Sequence, residues 1–253
     1  MGFLGVIIFG CPLNLFMINY DIAMTLHHGV LSSANTKSMS IEVSEGRAEG
    51  YRRGAITDSV LLTEWINAHF KKHHRRLTLV PPRVLFAGYF GNHRGQTALK
   101  HILIESGARV VFLLERTMAV ALGHSTVETV PKKRTYLLFD QDIIQVFAVD
   151  GMEVAIDYTC ETEMDYFMDS RNSSFSMLGN NEVTPAAKER ISALLSDLKE
   201  RGFMESGIYV WGSTGEEQVH QILADNHRDG IAIKQEYAIQ GALDVFKNIK
   251  KFF

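Results

Sequence analysis

Residues 83–124, RVLFAGYFGNHRGQTALKHILIESGARVVFLLERTMAVALGH, constrain the fold more than any other stretch. Val84, Leu85 and Phe86 form a short apolar run between Pro82 and Gly88, and a loop follows through Gly91, Asn92 and Gly95. Ala98, Leu99, Ile102 and Leu103 then recur at helical spacing as far as Gly107, a residue suited to the left-handed backbone that ends a helix. Val110 to Leu114 make a second apolar and β-branched run, and residues 117–122 begin a helix of small and apolar side chains. Two strands joined by one amphipathic helix make a βαβ unit, so the parent sheet is parallel or mixed.

A chain of 253 residues can bury a full core, as one large or two small domains. With 46% hydrophobic and 22% charged residues it falls among soluble globular proteins, and a net charge of −3 gives no reason to expect nucleic acid as a partner. Two cysteines, Cys11 and Cys160, make no disulfide framework, which fits a reducing cytoplasm. The first eleven residues, MGFLGVIIFGC, are apolar. No Lys or Arg precedes them, as a signal peptide requires, and Asn14, Asn19 and Asp21 interrupt a window of about 20 apolar residues needed to span a bilayer. A buried β-hairpin turning at residues 10–14 is the best reading, with secretion or lipidation as the minor alternative.

Further along, residues 22–50 are short and mixed, with a polar loop at 32–38. Residues 59–70 form a helix capped by Asp58 or Ser59, with Val60, Leu61, Trp65, Ala68 and His69 on its inner face. Its basic end, residues 71–76, suits the helix dipole and is expected to be solvated, with a patch for anionic lipid or a partner as the alternative. His73 and His74 are adjacent and share no helix face, which argues against zinc. Residues 131–134 form an exposed linker to strands at 135–139 and 143–149, with a turn at Asp150-Gly151 after them. Residues 157–181 read as a loop or a poorly ordered connection, with a short helix at 161–168 as an option. Thr184 and Pro185 start a helix that buries Ala187, Ile191, Leu194, Leu195 and Leu198 and stops at Gly202. Residues 208–211 are a strand that runs through Gly212, Ser213, Thr214 and Gly215 into a helix at 216–225, a layout suited to anions. A strand at 231–234 and a helix at 237–249 close the chain, and its basic and aromatic tail packs back on the core or touches a membrane surface. There is no Walker loop, GxSxG, HExxH or CxxC pair.

Three segments also share order and spacing with a known family: Pro82-Arg83-Val84-Leu85, Ser106-Gly107-Ala108-Arg109, and Val111 through Met118 to Gly123. Together they resemble the core of bacterial actin homologues of the MreB, or rod-shape-determining, type. Arg53 to Asp58 resembles a turn just upstream in the same family. The resemblance implies an α/β fold: a two-lobed actin-like (ribonuclease-H-like) core, with mixed sheets flanked by helices and the small subdomains reduced or missing. Residues 1–130 would form the first lobe and residues 131–253 the second.

The resemblance also marks a nucleotide site. Aligned on Gly10, the first phosphate loop has Ile8 in place of its acid and keeps only the glycine and Asn14. The second loop, within residues 137–146, has lost its glycines and threonines, and Asp140 or Asp142 stands nearest its acid. Glu115 survives from the family's Glu-Glu pair, but Arg116 occupies the place of the glutamate that orients the attacking water. Gly212, Ser213, Thr214 and Gly215 match the adenosine loop, with Trp211 replacing its first glycine. Phosphoryl transfer needs a positioned phosphate, a metal held by hard oxygen ligands and an oriented water. Glycine-poor loops and an arginine supply none of these well. No catalytic residue and no cofactor are therefore expected, with weak ATP–magnesium binding as the alternative. The expected role is that of a non-catalytic pseudoenzyme in a cytoskeletal or cell-shape assembly, in the cytoplasm or at the inner face of the membrane. Its partners would be proteins, either intact actin-like filaments or other copies of itself. The alternatives are an ATP-dependent filament former and an adaptor to a membrane-associated machine.

Overall fold

The computed structural model describes residues 21–27, 29–44, 48, 50–52, 55–74, 81–90, 93–140, 143–161, 185–212, 222–226 and 230–249. The first sheet is built on β1 (Asp21–His27), which forms a hairpin with β2 (Val30–Asn35) and pairs in parallel with β6 (Arg83–Gly88). β3 (Ile41–Val43) lies outside β2, and β7 (Val110–Glu115) lies parallel to β6 on the far side, giving the order β3-β2-β1-β6-β7. Every residue of β1 is buried because both faces of the sheet are covered. Ile22, Met24 and Leu26, with Val84 and Phe86, face α1 (Ser59–His73) and α2 (His93–Glu105), where Leu62, Ile66, Leu99, Ile102 and Leu103 meet them. The alternate residues Ala23, Leu85 and Ala87 face α3 (Arg116–Val127) and α5 (Tyr237–Ile249). A two-stranded hairpin, β4 (Tyr51–Arg52) and β5 (Ala55–Ile56), lies between β3 and α1.

The second sheet repeats this plan. β8 (Lys133–Asp140), β9 (Ile143–Asp150) and β10 (Glu153–Glu161) form an antiparallel meander. β11 (Ile208–Trp211) lies parallel to β8, and β12 (Gly230–Ala232) parallel to β11, for the order β10-β9-β8-β11-β12. Alternation along β8 and β9 sends Leu137, Phe139, Ile144 and Val146 to α4 (Pro185–Glu200), which offers Ile191, Leu195 and Leu198. It sends Tyr136, Leu138, Phe147 and Val149 to the other side, with Val120, Ala121 and Ala238 of α3 and α5. α3 and α5 are therefore the layer shared by both sheets, and α5 packs on the first sheet although it follows the second in the chain. They cross closely at two glycines: a Cβ at Gly123 would lie 1.9 Å from the Tyr237 carbonyl oxygen, and one at Gly241 1.9 Å from that of Ala119.

Several expectations change. Residues 22–43 carry three strands, and the expected polar loop at 32–38 is strand as far as Asn35, since Ser33 and Ala34 are buried in the sheet. In α1 the buried residues are Leu62, Ile66 and His69, while Val60 and Leu61 stay 64% and 41% exposed and Ala68 is exposed. Asp58 caps that helix as expected, accepting from the backbone N–H of Val60 and Leu61 at 2.9 and 3.0 Å. Lys71 and Lys72 are solvated, but His74 beside them is buried. Gly95 lies in the first turn of α2, not in a loop. Arg134 is not part of an exposed linker: it is buried and donates to the Tyr136 hydroxyl at 2.7 Å and to Ser125 Oγ at 2.6 Å. Residues 157–161 continue β10 instead of opening a loop, and residues 162–184 lie outside the described ones.

Candidate functional site in the seam between the sheets

α3 begins where β7 ends, and its first residue, Arg116, enters the seam between the sheets and is 1% exposed. The tip of β8 and the start of β9 supply its partners. Nε and Nη2 donate to Gln145 Oε1 at 3.2 and 2.7 Å, and Nη1 donates to Asp140 Oδ2. Gln145 is oriented in turn by its own donation to Thr159 Oγ1 on β10, at 3.2 Å. A guanidinium satisfied in this way is a fixed cation, and Asp140 is committed to it as an ion pair.

Trp211, at the end of β11, is wholly buried against that cation, with the Arg116 guanidinium carbon 5.6 Å from its ring centre. Its Nε1–H donates to the Gln235 carbonyl just before α5, at 3.2 Å. The His27 ring, at the end of β1, lies 4.1 Å from the indole at a 46° tilt, and its Nε2 reaches the Phe139 carbonyl oxygen at 3.5 Å. Gly212 follows with φ +130°, and a Cβ there would lie 2.1 Å from the same Phe139 oxygen, so only glycine lets β11 run this close to β8. Side chains from β1, α3, β8, β9 and β11 thus occupy the seam.

Acidic and phenolic groups surround the arginine. Tyr51 donates to the Tyr89 carbonyl at 2.7 Å, and burial holds its phenol well above the usual range, only partly offset by Arg116. Thr117 Oγ1 donates to Asp157 Oδ2 at 3.3 Å. Glu115 and Asp157 keep open surface on one side, yet partial burial raises both carboxyls; Asp157 raises Glu115 further, and Arg116 pulls both back. Beyond His27 a cavity of about 380 Å³ opens between the first sheet and the start of α5, lined by Thr25, Val30, Ile41, Gln235 and Ile239 among others. Among the described residues the buried Thr25 hydroxyl there finds no partner.

Of the residues marked in the sequence, Glu115, Asp140 and Gly212 meet around Arg116 and Trp211. Gly10, Asn14, Ser213, Thr214 and Gly215 lie outside the described residues. Among the described residues the hairpin that opens the first sheet turns at Gly29, between β1 and β2. Sequence reasoning missed Gln145 and His27, which carry no motif: one is an internal strand residue and the other the last residue of β1. It also missed a second polar cluster, on the first sheet. Ser33 Oγ lies 2.7 Å from Nε2 of both His69 and His74, and His73 Nδ1 lies 3.1 Å from Glu42 Oε2. Among the described residues no group of three or more His, Cys, Asp or Glu is placed to hold a metal.

No family model matches the chain, and no curated protein matches it. Solved structures do. MreB5 of Spiroplasma citri bound to AMPPNP superposes with a TM-score of 0.65 at 14% identity, over 93% of this chain and 98% of that one. EutJ, an ethanolamine utilization protein from Carboxydothermus hydrogenoformans, gives 0.60 at 13% identity, over 88% and 89%. PilM, in its type IV pilus biogenesis complex with PilN, gives 0.59 at 8% identity, over 87% and 90%. With two five-stranded mixed sheets of the same strand order sandwiching α3 and α5, the chain has the two-lobed α/β fold of MreB and other actin-like proteins.

Proposed function

We propose that this chain is an actin-like assembly component that holds its two lobes together with its own side chains and acts through protein contacts, without catalysis. One observation carries the reading: Arg116 stands where the family's water-orienting glutamate is expected, and it is buried, paired with Asp140 and Gln145 and stacked on Trp211. A triphosphate in this seam would compete with Asp140 for the arginine and would have to displace the indole. Asp140, the acid nearest the second loop, spends its charge on Arg116 and offers little to a magnesium ion. The likeness to PilM in complex with PilN supports a role in protein assemblies, at the level of fold. The proposed place is the cytoplasm or the inner face of a membrane; among the described residues no helix is long and apolar enough to cross one.

A nucleotide-dependent filament protein is the second reading. The likeness to an AMPPNP-bound MreB5 and the cavity beside His27, whose Thr25 hydroxyl has no partner among the described residues, favour it. Calorimetric titration with ATP and magnesium separates the two. No heat and no thermal shift are expected; micromolar, magnesium-dependent binding would make the second reading the correct one.

A further inference from the structure

We infer that the outer edge of β7 pairs with β7 of a second copy of this chain, antiparallel about a twofold axis through Phe112. This rests on the proposed role in assembly and names a surface for it. β7 ends the first sheet. Its inner edge takes the parallel ladder from β6, Arg83↔Val110 to Gly88↔Glu115, and no described strand pairs with its other edge. Its sequence, VVFLLE, has no charge before Glu115, no proline and no bulge, so it lacks the devices that keep free strand edges apart. Val111, Phe112, Leu113 and Leu114 are only half-buried, whereas Val84 to Gly88 alongside them on β6 are buried. Val110 is 38% exposed, and Ile104 on α2, before the turn into β7, is 50% exposed.

Charge selects both the partner and the register. Alternation puts Arg109, Val111, Leu113 and Glu115 on one face of the strand, and both charged residues are exposed. With the axis through Phe112, Arg109 of each copy stands opposite Glu115 of the other. Val110 then faces Leu114, Val111 faces Leu113, and Phe112 faces itself. A slide of two residues sets Arg109 against Leu113 in one direction and Glu115 against Val111 in the other, so a charge faces an apolar side chain. The strand is self-complementary in one register, as an isologous interface requires. Asp157 crowds Glu115 with like charge, and a guanidinium from the second copy would offset that crowding. Phe112 packs edge-on against Phe246 of α5 at 5.8 Å, which gives the axis a firm aromatic support.

Light scattering at micromolar concentration, on the full chain, is expected to give the mass of two chains. Arg109→Glu, which sets glutamate against Glu115, should give monomers with an unchanged circular dichroism spectrum, and adding Glu115→Arg should restore the dimer. In a Cys11→Ser, Cys160→Ser background, Arg109→Cys with Glu115→Cys should crosslink two copies under mild oxidation. A monomeric native chain, a dimer insensitive to Arg109→Glu, or a missing crosslink would overturn the proposal. So would slow amide exchange of residues 110–114 in a monomer, because another part of the same chain would then cover the edge. ATP calorimetry does not depend on Arg109, so failure of the dimer and failure of the nucleotide-free reading are told apart.

Discussion

The Arg116 guanidinium sits 5.6 Å from the centre of the Trp211 indole, which joins the start of α3 to the end of a strand in the other sheet. His27 of the first sheet lies against the same indole. Three segments far apart in sequence therefore close one seam, with a cation whose donors go to Asp140 and Gln145 and an indole whose N–H goes to Gln235. The cluster is buried at its centre, where Arg116 and Trp211 are almost wholly enclosed. Such clusters stabilise only while every member is present.

Removing the arginine tests this directly. Arg116→Ala leaves Asp140 without its cation, and breaking a buried pair from one side costs about 3–5 kcal/mol. Asp140 keeps 15% of its side-chain surface, so the lower end of that range is expected. Adding Asp140→Asn removes the stranded charge and should recover part of the loss. Urea unfolding of the single and double variants measures both, and equal stability of Arg116→Ala and the native chain would mean that the pair holds nothing together.

Trp211 separates bulk from hydrogen bonding. Trp211→Ala empties a fully buried site and should cost about 3–5 kcal/mol. Trp211→Phe keeps most of the volume and the aromatic face toward Arg116. It removes the donor to the Gln235 carbonyl, but Gln235 is exposed and water can take the donor's place, so a loss of about 0.5–1.5 kcal/mol is expected. The reverse order of the two losses in thermal melts would show that packing is not what the indole supplies.

The α3–α5 crossing should tolerate no added carbon. Each missing Cβ, at Gly123 and at Gly241, would lie 1.9 Å from a backbone oxygen of the other helix, and backbone cannot swing aside as a side chain can. Gly241→Ala should therefore destabilise by at least the roughly 1–3 kcal/mol of ordinary overpacking, against the usual gain from alanine within a helix. Thr126→Ala on the exposed end of α3 serves as the control, and a drop in melting temperature only for the glycine variant is the expected result.

The sheets were legible in the sequence where an element carries its own period. β6, α2, β7, β8 and β9 follow from apolar runs, the turn after β9 from Asp150-Gly151, and Asp58 caps α1 as its chemistry predicts. The inner face of α1 was misplaced because Val60 and Leu61 are apolar yet exposed, while the face is set by where β1 and β6 lie. β2 was hidden because its serines and asparagine read as loop; tertiary pairing with β1 overrode that preference, and Ser33 is buried because two histidines satisfy it. At the site, Arg116 was marked by its position, but no spacing rule connects it with Gln145, Trp211 or His27. Those contacts exist only once both sheets are folded around α3.

The histidines on Ser33 make the last prediction a matter of pH. Burial is the main cause that lowers His69 to about 3 and His74 to about 4. Repulsion acts the same way, from His74, His73 and Lys72 on His69 and from His73 on His74, while Glu42 pulls His74 back. The Ser33 hydroxyl has one proton to give, so it donates to the Nε2 of one ring, which must be neutral, and accepts from the Nε2–H of the other. In the unfolded chain both titrate near 6.5, so on acidification the unfolded state takes up protons first. The stability that the neutral cluster contributes is full above about pH 6.5 and falls as pH drops toward 4, by up to about 1.4 kcal/mol per pH unit for each ring. Burial lowers His124 too, so the native slope alone does not isolate the cluster. The difference between the native chain and His74→Gln does: urea midpoints measured from pH 7 to pH 5 should converge as pH falls, because the variant has one fewer buried base to protonate. Parallel lines would mean that His74 takes up its proton in the folded chain as it does in the unfolded one, and diverging lines that it is already charged when folded.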